Sequence, residues 1–373
     1  MIDRDFIFVG CDSHAKTLVN MIAVNGEAGE QRNVSNTRSG RRKLIGILRQ
    51  KAQSVGGARI VVVYEASGNG FILHDELKAA GIESHVLAPT KIERSEKHKR
   101  NKRDKPDAKR MLDIIRAHIL AGTELPAVWV PDEQTRDDRE TVRMRHDVGE
   151  KLAAIKTQIQ TLLKRNGIEK PEGMGHSGSH EYRRWLWLLA GEEKKGWGGE
   201  QDWGKRVGLR QALGSLLRQL EFYESEIKRA DQAIKQLCEM PHLKPIVEAL
   251  DAEVGVGRLG AVSYAAEMGD FTRFRRRQQV GSYWGLTPTS SESGENNDRK
   301  GHISRQGAPR MRRILCQSTW SRVRWDARES AKFNDYVRRN PKRKKIALVA
   351  GMRRLSVRLW HVGVEVQLKL KAA

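Results

Sequence analysis

The sequence is short of several features that would otherwise define its class. Its 373 residues include only three cysteines, Cys11, Cys238 and Cys316, without CxxC spacing. Neither a disulfide framework nor a zinc ribbon is therefore expected. No apolar run approaches the length of a membrane span, and the N-terminus lacks the basic-then-apolar layout of a signal peptide. These absences predict a protein of the reducing cytoplasm, with no membrane partner.

Acidic residues are also too few to balance the basic ones. The chain has 69 Lys and Arg against 46 Asp and Glu, which gives a formal net charge of +23. Residues 241–373 alone hold 27 basic and 12 acidic residues, a net charge of +15. One basic run is as often a solvated surface as a binding site, but this chain has three, at 97–110, 273–277 and 342–345. A polyanion, most simply nucleic acid, is the predicted partner.

The first 125 residues alternate between apolar strands and helices. The segment 59–64 is apolar almost throughout, which is typical of a strand buried on both faces. The order of elements indicates a mixed α/β domain. Strands are predicted at 6–10, 18–24, 31–34, 59–64 and 84–87, and helices at 39–54, 71–80 and 107–121.

The middle of the chain has a different pattern. Residues 148–162 and 213–237 repeat apolar side chains at spacings of three and four, which is the pattern of a coiled-coil seam. Two such helices can fold back on each other or pair between chains, and the sequence leaves both open. The segment 166–208 between them holds four of the nine tryptophans. It predicts either a base-stacking surface or a small aromatic subdomain at the tip of a hairpin.

From residue 250 onward the sequence predicts an all-α region of short helices and loops. A Gly-rich turn at 255–260 precedes a loop region at 285–307, and helices are expected near 308–325 and 344–360. The predicted fold class is therefore α/β plus all-α.

Four acidic residues are candidates for one site. Asp12 and Glu65 each follow a predicted strand, and Asp104 and Asp107 begin a helix inside the basic stretch 97–110. Strand ends at one sheet edge bring distant residues together, and clustered carboxylates repel one another unless cations neutralise them. Oxygen ligands of this kind suit Mg²⁺ or Mn²⁺, and two such ions can clamp a phosphodiester. The alternative is structural, because an acidic residue at a strand end is common.

Three segments around these residues resemble a known family. Residues 10–16 (GCDSHAK), 64–68 (YEASG) and 102–108 (KRDKPDA) resemble the DEDD motif of the IS-one-ten family of insertion-sequence transposases. That family includes Piv-type DNA invertases and bridge-RNA-guided recombinases. The resemblance implies a RuvC-like, RNase H-like domain over 1–130. It implies that the catalytic residues, and the ligands of Mg²⁺ or possible Mn²⁺, are Asp12, Glu65, Asp104 and Asp107.

The C-terminal region resembles the transposase domain of the same family. Residues 252–270 are similar to its Gly-x-Gly segment, and 283–288 (YWGLTP) are followed by a Ser-Gly pair at Ser293. By this match Ser293 is the nucleophile, with Ser291 as the alternative. On the residues alone, three serines in a Gly-rich loop are typical of a plain loop. The residues expected to contact nucleic acid are Lys102, Arg103, Arg275, Arg276, Arg305, Arg310, Arg312, Arg313, Lys342 and Arg343.

Together these features predict a DNA transposase or site-specific recombinase of a bacterial mobile element. The resemblance implies a phosphoserine intermediate, donor and target DNA, a non-coding guide RNA, and a homodimer or homotetramer associated with the nucleoid. The predicted domains are 1–130, a coiled-coil region at 131–240, and a basic transposase domain at 241–373. Two other classes stay open: a RuvC-like junction-resolving endonuclease that uses water, and a non-catalytic scaffold that binds nucleic acid.

Overall fold

The computed structural model describes residues 5–92, 104–191, 206–290 and 300–372. The chain divides into two compact units, Met1–Pro131 and Asp132–Ala373. Each unit has hydrophobic clusters of its own. The coiled-coil helices and the C-terminal helices fall in one unit, so separate domains at 131–240 and 241–373 stay a prediction.

The first unit is a five-stranded mixed sheet with helices on both faces, in the strand order β3-β2-β1-β4-β5. The strand β1 is antiparallel to β2 and parallel to β4; β2–β3 are antiparallel and β4–β5 parallel. The predicted strands and helices are all present, which is consistent with the RNase H-like layout. The elements are β1 Phe6–Ser13, β2 Thr17–Val24, β3 Glu30–Ser35, α1 Arg38–Ser54, β4 Arg59–Glu65, α2 Ile72–Ala79, β5 Glu83–Leu87 and α3 Asp104–Ala121.

Alternation along β1 places its side chains in two separate cores. Ile7 and Val9 lie in the cluster that contains Leu44 of α1. Phe8 points to the other face of the sheet and lies in the cluster that contains Met111 of α3. Because side chains alternate with a period of two, the even-numbered positions of β1 all face α3.

The second unit is helical apart from one short hairpin. The hairpin, β6 with β7, lies in the region predicted as a loop, so that prediction missed two short strands. The elements are α4 Glu133–Arg165, α5 His180–Ala190, α6 Val207–Cys238, α7 Lys244–Asp251, α8 Arg258–Met268, α9 Arg277–Tyr283, β6 Pro288–Ser290, β7 Lys300–Ile303, α10 Pro309–Trp325, α11 Ala327–Arg339 and α12 Lys344–Ala372.

The two heptad helices, α4 and α6, pack against each other within the chain. Ile155 and Leu213 share one hydrophobic cluster, and the Arg145 guanidinium lies 2.6 Å from the Asp231 carboxylate. The short helix α5 adds Trp185 and Trp187 to the same cluster. Those two tryptophans therefore pack, partly buried, against the core shared by the two heptad helices. The other two tryptophans of the segment, Trp197 and Trp203, lie outside the described residues.

The C-terminal core is built around α8, which is buried on all sides from Ala261 to Met268. Phe271 follows α8 and ties it to α12: the Phe271 amide donates to Gln367 Oε1 at 2.8 Å, and Trp360 Nε1 donates to the Phe271 carbonyl at 2.9 Å. These contacts hold the second half of α12, which has 29 residues. The predicted helix end at 360 and the expectation of short helices were therefore wrong here.

Candidate functional site

Two of the predicted acidic residues lie side by side at the edge of the first sheet. In the parallel β1–β4 pair, Cys11 is in register with Tyr64. The next residues are Asp12 and Glu65, so both carboxylates sit at the carboxyl ends of adjacent parallel strands. Cys11 and Tyr64 face the α1 side. By alternation Asp12 and Glu65 therefore lie on the opposite face, which α3 covers.

Gly10 brings α3 unusually close to β1. A Cβ added at Gly10 would lie 2.2 Å from the Ala108 carbonyl oxygen and 2.3 Å from the Leu112 amide nitrogen. Further along α3, the Arg116 guanidinium donates to the carbonyl of Glu27. Glu27 lies in the loop after β2, and the carboxyl end of β2 pairs with the start of β1. The helix thus runs antiparallel to β1, and its N-terminal turn lies at the end of the sheet where Asp12 is found.

The remaining acidic candidates belong to that N-terminal turn. Asp107 is partly exposed in the first turn of α3. Asp104 is the first residue of the helix, and its side chain lies outside the described part of the chain. Lys102 and Arg103 also lie outside the described residues. The fold therefore brings the backbone of the Asp104–Asp107 turn to the same edge as Asp12 and Glu65.

Polar contacts fix the loops around Asp12. Its carboxylate is 14% exposed and lies 3.2 Å from His14 Nε2. Asn69, in the loop after β4, donates to the Ser13 carbonyl at 3.0 Å, and Asn36 donates to the His14 carbonyl at 2.8 Å. Burial, and then the neighbouring Asp12, raise the pKa of the Cys11 thiol, which keeps that residue a neutral core group.

His14 and Asn69 contact the acidic edge but are not among the predicted site residues. Both lie within or next to the segments that carry the family resemblance, two residues after Asp12 and four after Glu65. That proximity is the signal that could have identified them.

The donor chemistry at this edge fits a hard divalent cation, since Asp12, Glu65 and Asp107 all offer carboxylate oxygens. Among the described residues, no three His, Cys, Asp or Glu side chains converge closely enough to hold a metal ion. The Asp104 side chain lies outside the described residues. The resemblance of the acidic segments to the DEDD motif implies a divalent ion at this edge.

The second candidate region is the β6–β7 hairpin of the helical unit. Ser290 pairs with Lys300, and Ser293 and Ser291 lie between these strands, outside the described residues. Glycines in left-handed conformations close the base of the hairpin: a Cβ at Gly285 would lie 2.0 Å from the Gln306 carbonyl oxygen. The structure thus shows the frame of the loop that carries the predicted nucleophile.

Two arginines strengthen the positive charge at the base of this hairpin. The Arg312 guanidinium donates to the Gly307 carbonyl at 3.0 Å and to the Trp284 carbonyl at 3.3 Å. Partial burial, and then the neighbouring Arg305, lower the pKa of Arg312. Arg305 itself is exposed and has a positive φ of 55°. Arg312 is thus tied to the hairpin backbone, while Arg305 faces solvent.

The other predicted nucleic-acid contacts differ in their surroundings. Arg310 forms an ion pair with Asp147 on α4, and Arg313 lies 2.8 Å from Glu150 on the same helix. No local sequence pattern indicates these pairings, because the partners are separated by 163 residues. Exposed side chains are found at Arg275, Arg276, Lys342 and Arg343.

The Gly-rich turn before α8 has a packing role. A Cβ at Gly255, which has a φ of +86°, would lie 2.7 Å from the Ser318 carbonyl oxygen and 2.8 Å from the Arg322 amide nitrogen of α10. Only glycine permits this approach and this conformation together. The close contact accounts for Gly255 without a bound phosphate.

No helix in the described ranges is long and apolar enough to cross a membrane.

Two protein-family profiles match the chain. One, described as "Transposase IS116/IS110/IS902 family", matches residues 247–335. The other is the DEDD-type profile of the IS110 group, described as "Transposase", and it matches residues 9–167. The first match contains the β6–β7 hairpin, and the second contains the acidic sheet edge.

Individual relatives are similar over most of the chain. The y4qE protein of Sinorhizobium fredii is 29% identical over 326 residues, covering 84% of this chain and 71% of the relative. The transposase for insertion sequence element IS1533 of Leptospira borgpetersenii is 22% identical and covers 84% of both chains. The transposase for element IS1111A of Coxiella burnetii is 24% identical, over 70% of this chain and 66% of the relative.

The two profile matches place the chain in the class of insertion-sequence transposases. Within that class, the chain belongs to the IS110 family, as its DEDD and C-terminal segments predicted.

Proposed function

We propose that this transposase cuts and rejoins DNA at a metal-dependent acidic site, with Ser293 as the nucleophile. The observation that carries the proposal is the position of Asp12 and Glu65 at the carboxyl ends of adjacent parallel strands, on the face covered by α3. Asp104 and Asp107 begin α3 and complete the proposed ligand set. Mg²⁺ is the proposed ion, and Mn²⁺ fits the same oxygen donors.

In this proposal the side chains of the chain hold the cation, orient its ligands and attack the phosphodiester. Four carboxylates would hold the cation, and His14, 3.2 Å from Asp12, orients that carboxylate. The chemistry that such an ion supplies is neutralisation of charge on a reacting phosphodiester. The Ser293 oxygen forms a bond to phosphorus while the bond from phosphorus to the leaving oxygen of one DNA strand breaks. The hydroxyl proton passes to solvent water, and the leaving oxygen takes a proton from solvent. Rejoining reverses these bond changes with a second strand.

The proposed partners follow from the family and from the charge of the chain. Donor and target DNA are the substrates, and a bridge RNA pairs with both to supply sequence specificity, in a division of labour known from other guided systems. The acidic site of one subunit acts with Ser293 of another in a dimer or tetramer. Two simpler functions compete with this one: a junction-resolving nuclease that uses water, and a scaffold without catalysis.

The acidic site is tested by conservative substitutions. Asp12→Asn and Glu65→Gln should each lower Mg²⁺-dependent DNA cleavage at least roughly a hundredfold, because each removes a ligand charge. Calorimetry should show weaker Mn²⁺ binding, and DNA binding without metal should persist. Asp113→Asn, which changes an exposed acid on α3, is the matched control and should keep full activity. Normal cleavage by both site variants would exclude the metal site.

The same reaction separates Ser293 chemistry from the nuclease alternative. On a denaturing gel, the wild-type protein should give a DNA-linked band that Ser293→Ala lacks and Ser291→Ala retains. If the Ser293→Ala variant cleaves DNA as well as the wild type and neither forms an adduct, the protein is a nuclease that uses water. A protein that binds DNA but never cleaves it, with or without Asp12, is a scaffold.

A further inference from the structure

Two exposed tryptophans lie on a basic surface at the junction of α10, α11 and α12. Trp325 ends α10 with 70% of its surface exposed, and Trp320 is 40% exposed. The Arg324 guanidinium lies 5.1 Å from the centre of the Trp325 ring, and the Lys344 ammonium lies 5.7 Å from that of Trp320. Arg324 follows Trp320 by four positions, so it shares the helix face of Trp320. We call these four residues the tryptophan patch.

Phe333 of α11 supports one side of the patch. Its ring meets the Trp320 ring edge to face, with centroids 5.4 Å apart. Trp320 is thus held in place by packing and keeps part of its surface open to solvent. Trp325 has no such aromatic neighbour among the described residues. Its exposed fraction is the highest of the large hydrophobic side chains in the part of the chain that the structure describes.

The charge around the patch is strongly positive. Residues 320–345 contain ten Lys and Arg and three Asp and Glu. All three acids are already engaged: Asp326 with Arg322, Glu329 with Lys332 and Arg354, and Asp335 with Arg338 and Arg339. Among the described residues, no carboxylate lies within ion-pair distance of the remaining cations, which are Arg324, Arg328, Lys342, Arg343, Lys344 and Lys345.

We infer that the tryptophan patch binds unpaired nucleotides of a DNA strand, with bases stacked on Trp325 and Trp320 and phosphates on the surrounding cations. Aromatic rings set in basic surface are the means by which proteins hold single strands without reading sequence. Duplex DNA hides its bases in the stack, so it meets only the cations. The inference deepens the proposed function and rests on it, because strand exchange exposes unpaired DNA.

A second copy of the chain is a poor occupant for this surface. Two copies of the segment 320–345 would bring six cations without a carboxylate partner against six others, and like charges repel. A DNA strand supplies one negative charge per nucleotide together with the flat bases that the rings require. Charge complementarity therefore favours the nucleic acid.

The test compares binding of labelled oligo-dT and of a labelled duplex by fluorescence anisotropy. Trp325→Ala should weaken oligo-dT binding roughly tenfold, within the range of base–aromatic stacking, and should leave duplex binding within about twofold. Trp325→Phe keeps a ring and should retain most of the affinity. Phe222→Ala removes another exposed ring, 57% exposed on α6, and should have no effect. Thermal unfolding of Trp325→Ala should match the wild type.

The salt dependence of binding distinguishes the contribution of base stacking from that of the basic side chains. Trp325→Ala should leave the slope of log affinity against log salt unchanged. The double variant Lys342→Ala with Arg343→Ala should lower that slope by roughly 0.7 for each phosphate that the variant no longer neutralises. An oligo-dT affinity that is equal in wild type and Trp325→Ala would overturn the inference. A Trp325 effect confined to an oligo-U strand would assign the patch to RNA and overturn it as well.

The outcomes also distinguish this inference from the proposed function. If the wild-type protein binds neither strand nor duplex, the DNA-directed function itself fails. If it binds and cleaves DNA while the tryptophan variants behave like wild type, only the patch assignment fails.

Discussion

At the scale of the residue, Gly10 determines how closely α3 approaches the acidic sheet edge. Gly10→Ala would place a Cβ 2.2 Å from the Ala108 carbonyl oxygen. The helix must then shift, and overpacking of this kind costs about 1–3 kcal/mol of stability. Because α3 carries Asp104 and Asp107, we also expect weaker metal binding. Urea unfolding and Mn²⁺ calorimetry measure the two effects.

A second glycine in the same unit provides the control. Gly46 is exposed in the middle of α1, and a Cβ there meets nothing within 4 Å. Gly46→Ala should therefore raise stability by about 0.5–1 kcal/mol through the lower flexibility of the unfolded chain. If Gly10→Ala proved as stable as the wild type, the close approach of α3 to β1 would be incorrect.

At the scale of the element, the sequence predicts secondary structure where one segment carries the whole signal. The strand β4 is predictable because Val61, Val62 and Val63 are consecutive and apolar, and all three are buried. The heptad helices α4 and α6 are predictable by spacing, but spacing is equally compatible with pairing within or between chains. The full length of α12 is not predictable from the sequence, since the end of this helix depends on contacts with Phe271.

The acidic edge is predictable in the same partial way. Asp12 and Glu65 follow strands that are evident in the sequence, and parallel pairing places strand ends together. The closeness of α3 depends on Gly10, whose role is invisible until the helix is placed. Ion pairs between distant elements also escape prediction, such as Arg143 with Glu267, whose atoms lie 2.8 Å apart although 124 residues separate them.

The contact between α4 and α8 predicts that the stability of the protein depends on pH. His146 Nε2 lies 2.9 Å from the Ser263 hydroxyl oxygen. Burial, and then the nearby Arg310, Arg145 and Arg313, lower the pKa of His146 to about 4. The unfolded chain, with an ordinary pKa near 6.5, binds the proton first as the pH falls. This contribution to stability is thus present above about pH 6.5 and is lost between about 6.5 and 4.

Chemical denaturation across that pH window tests the prediction. The loss should be about 1–2 kcal/mol in the wild type, after allowance for the solvent screening of a partly exposed group. His146→Gln keeps a hydrogen-bond donor and should flatten this part of the profile. The exposed His361 on α12 is the matched control, so His361→Gln should follow the wild type. Identical profiles for all three proteins would contradict the burial of His146.

At the scale of the whole molecule, the net charge of +23 conceals an uneven distribution. The first unit has 22 basic and 15 acidic residues, a net charge of +7, and the second has 47 and 31, a net charge of +16. Since residues 241–373 account for +15, residues 132–240 add only +1. Phosphate binding should therefore depend on particular clusters of the C-terminal third, and total charge alone should not determine it.

The cluster Arg275, Arg276 and Arg277 tests this distinction, because all three side chains are exposed where the chain passes from Phe274 into the first residue of α9. Replacing the three by alanine should lower the salt slope of duplex DNA binding by roughly 0.9 for each phosphate left without its arginine. Removing the same number of charges from α1, at Arg38, Arg42 and Lys43, should change the slope by less than about 1. Equal slopes for the two triple variants would mean that overall charge, and no particular surface, governs how this transposase holds DNA.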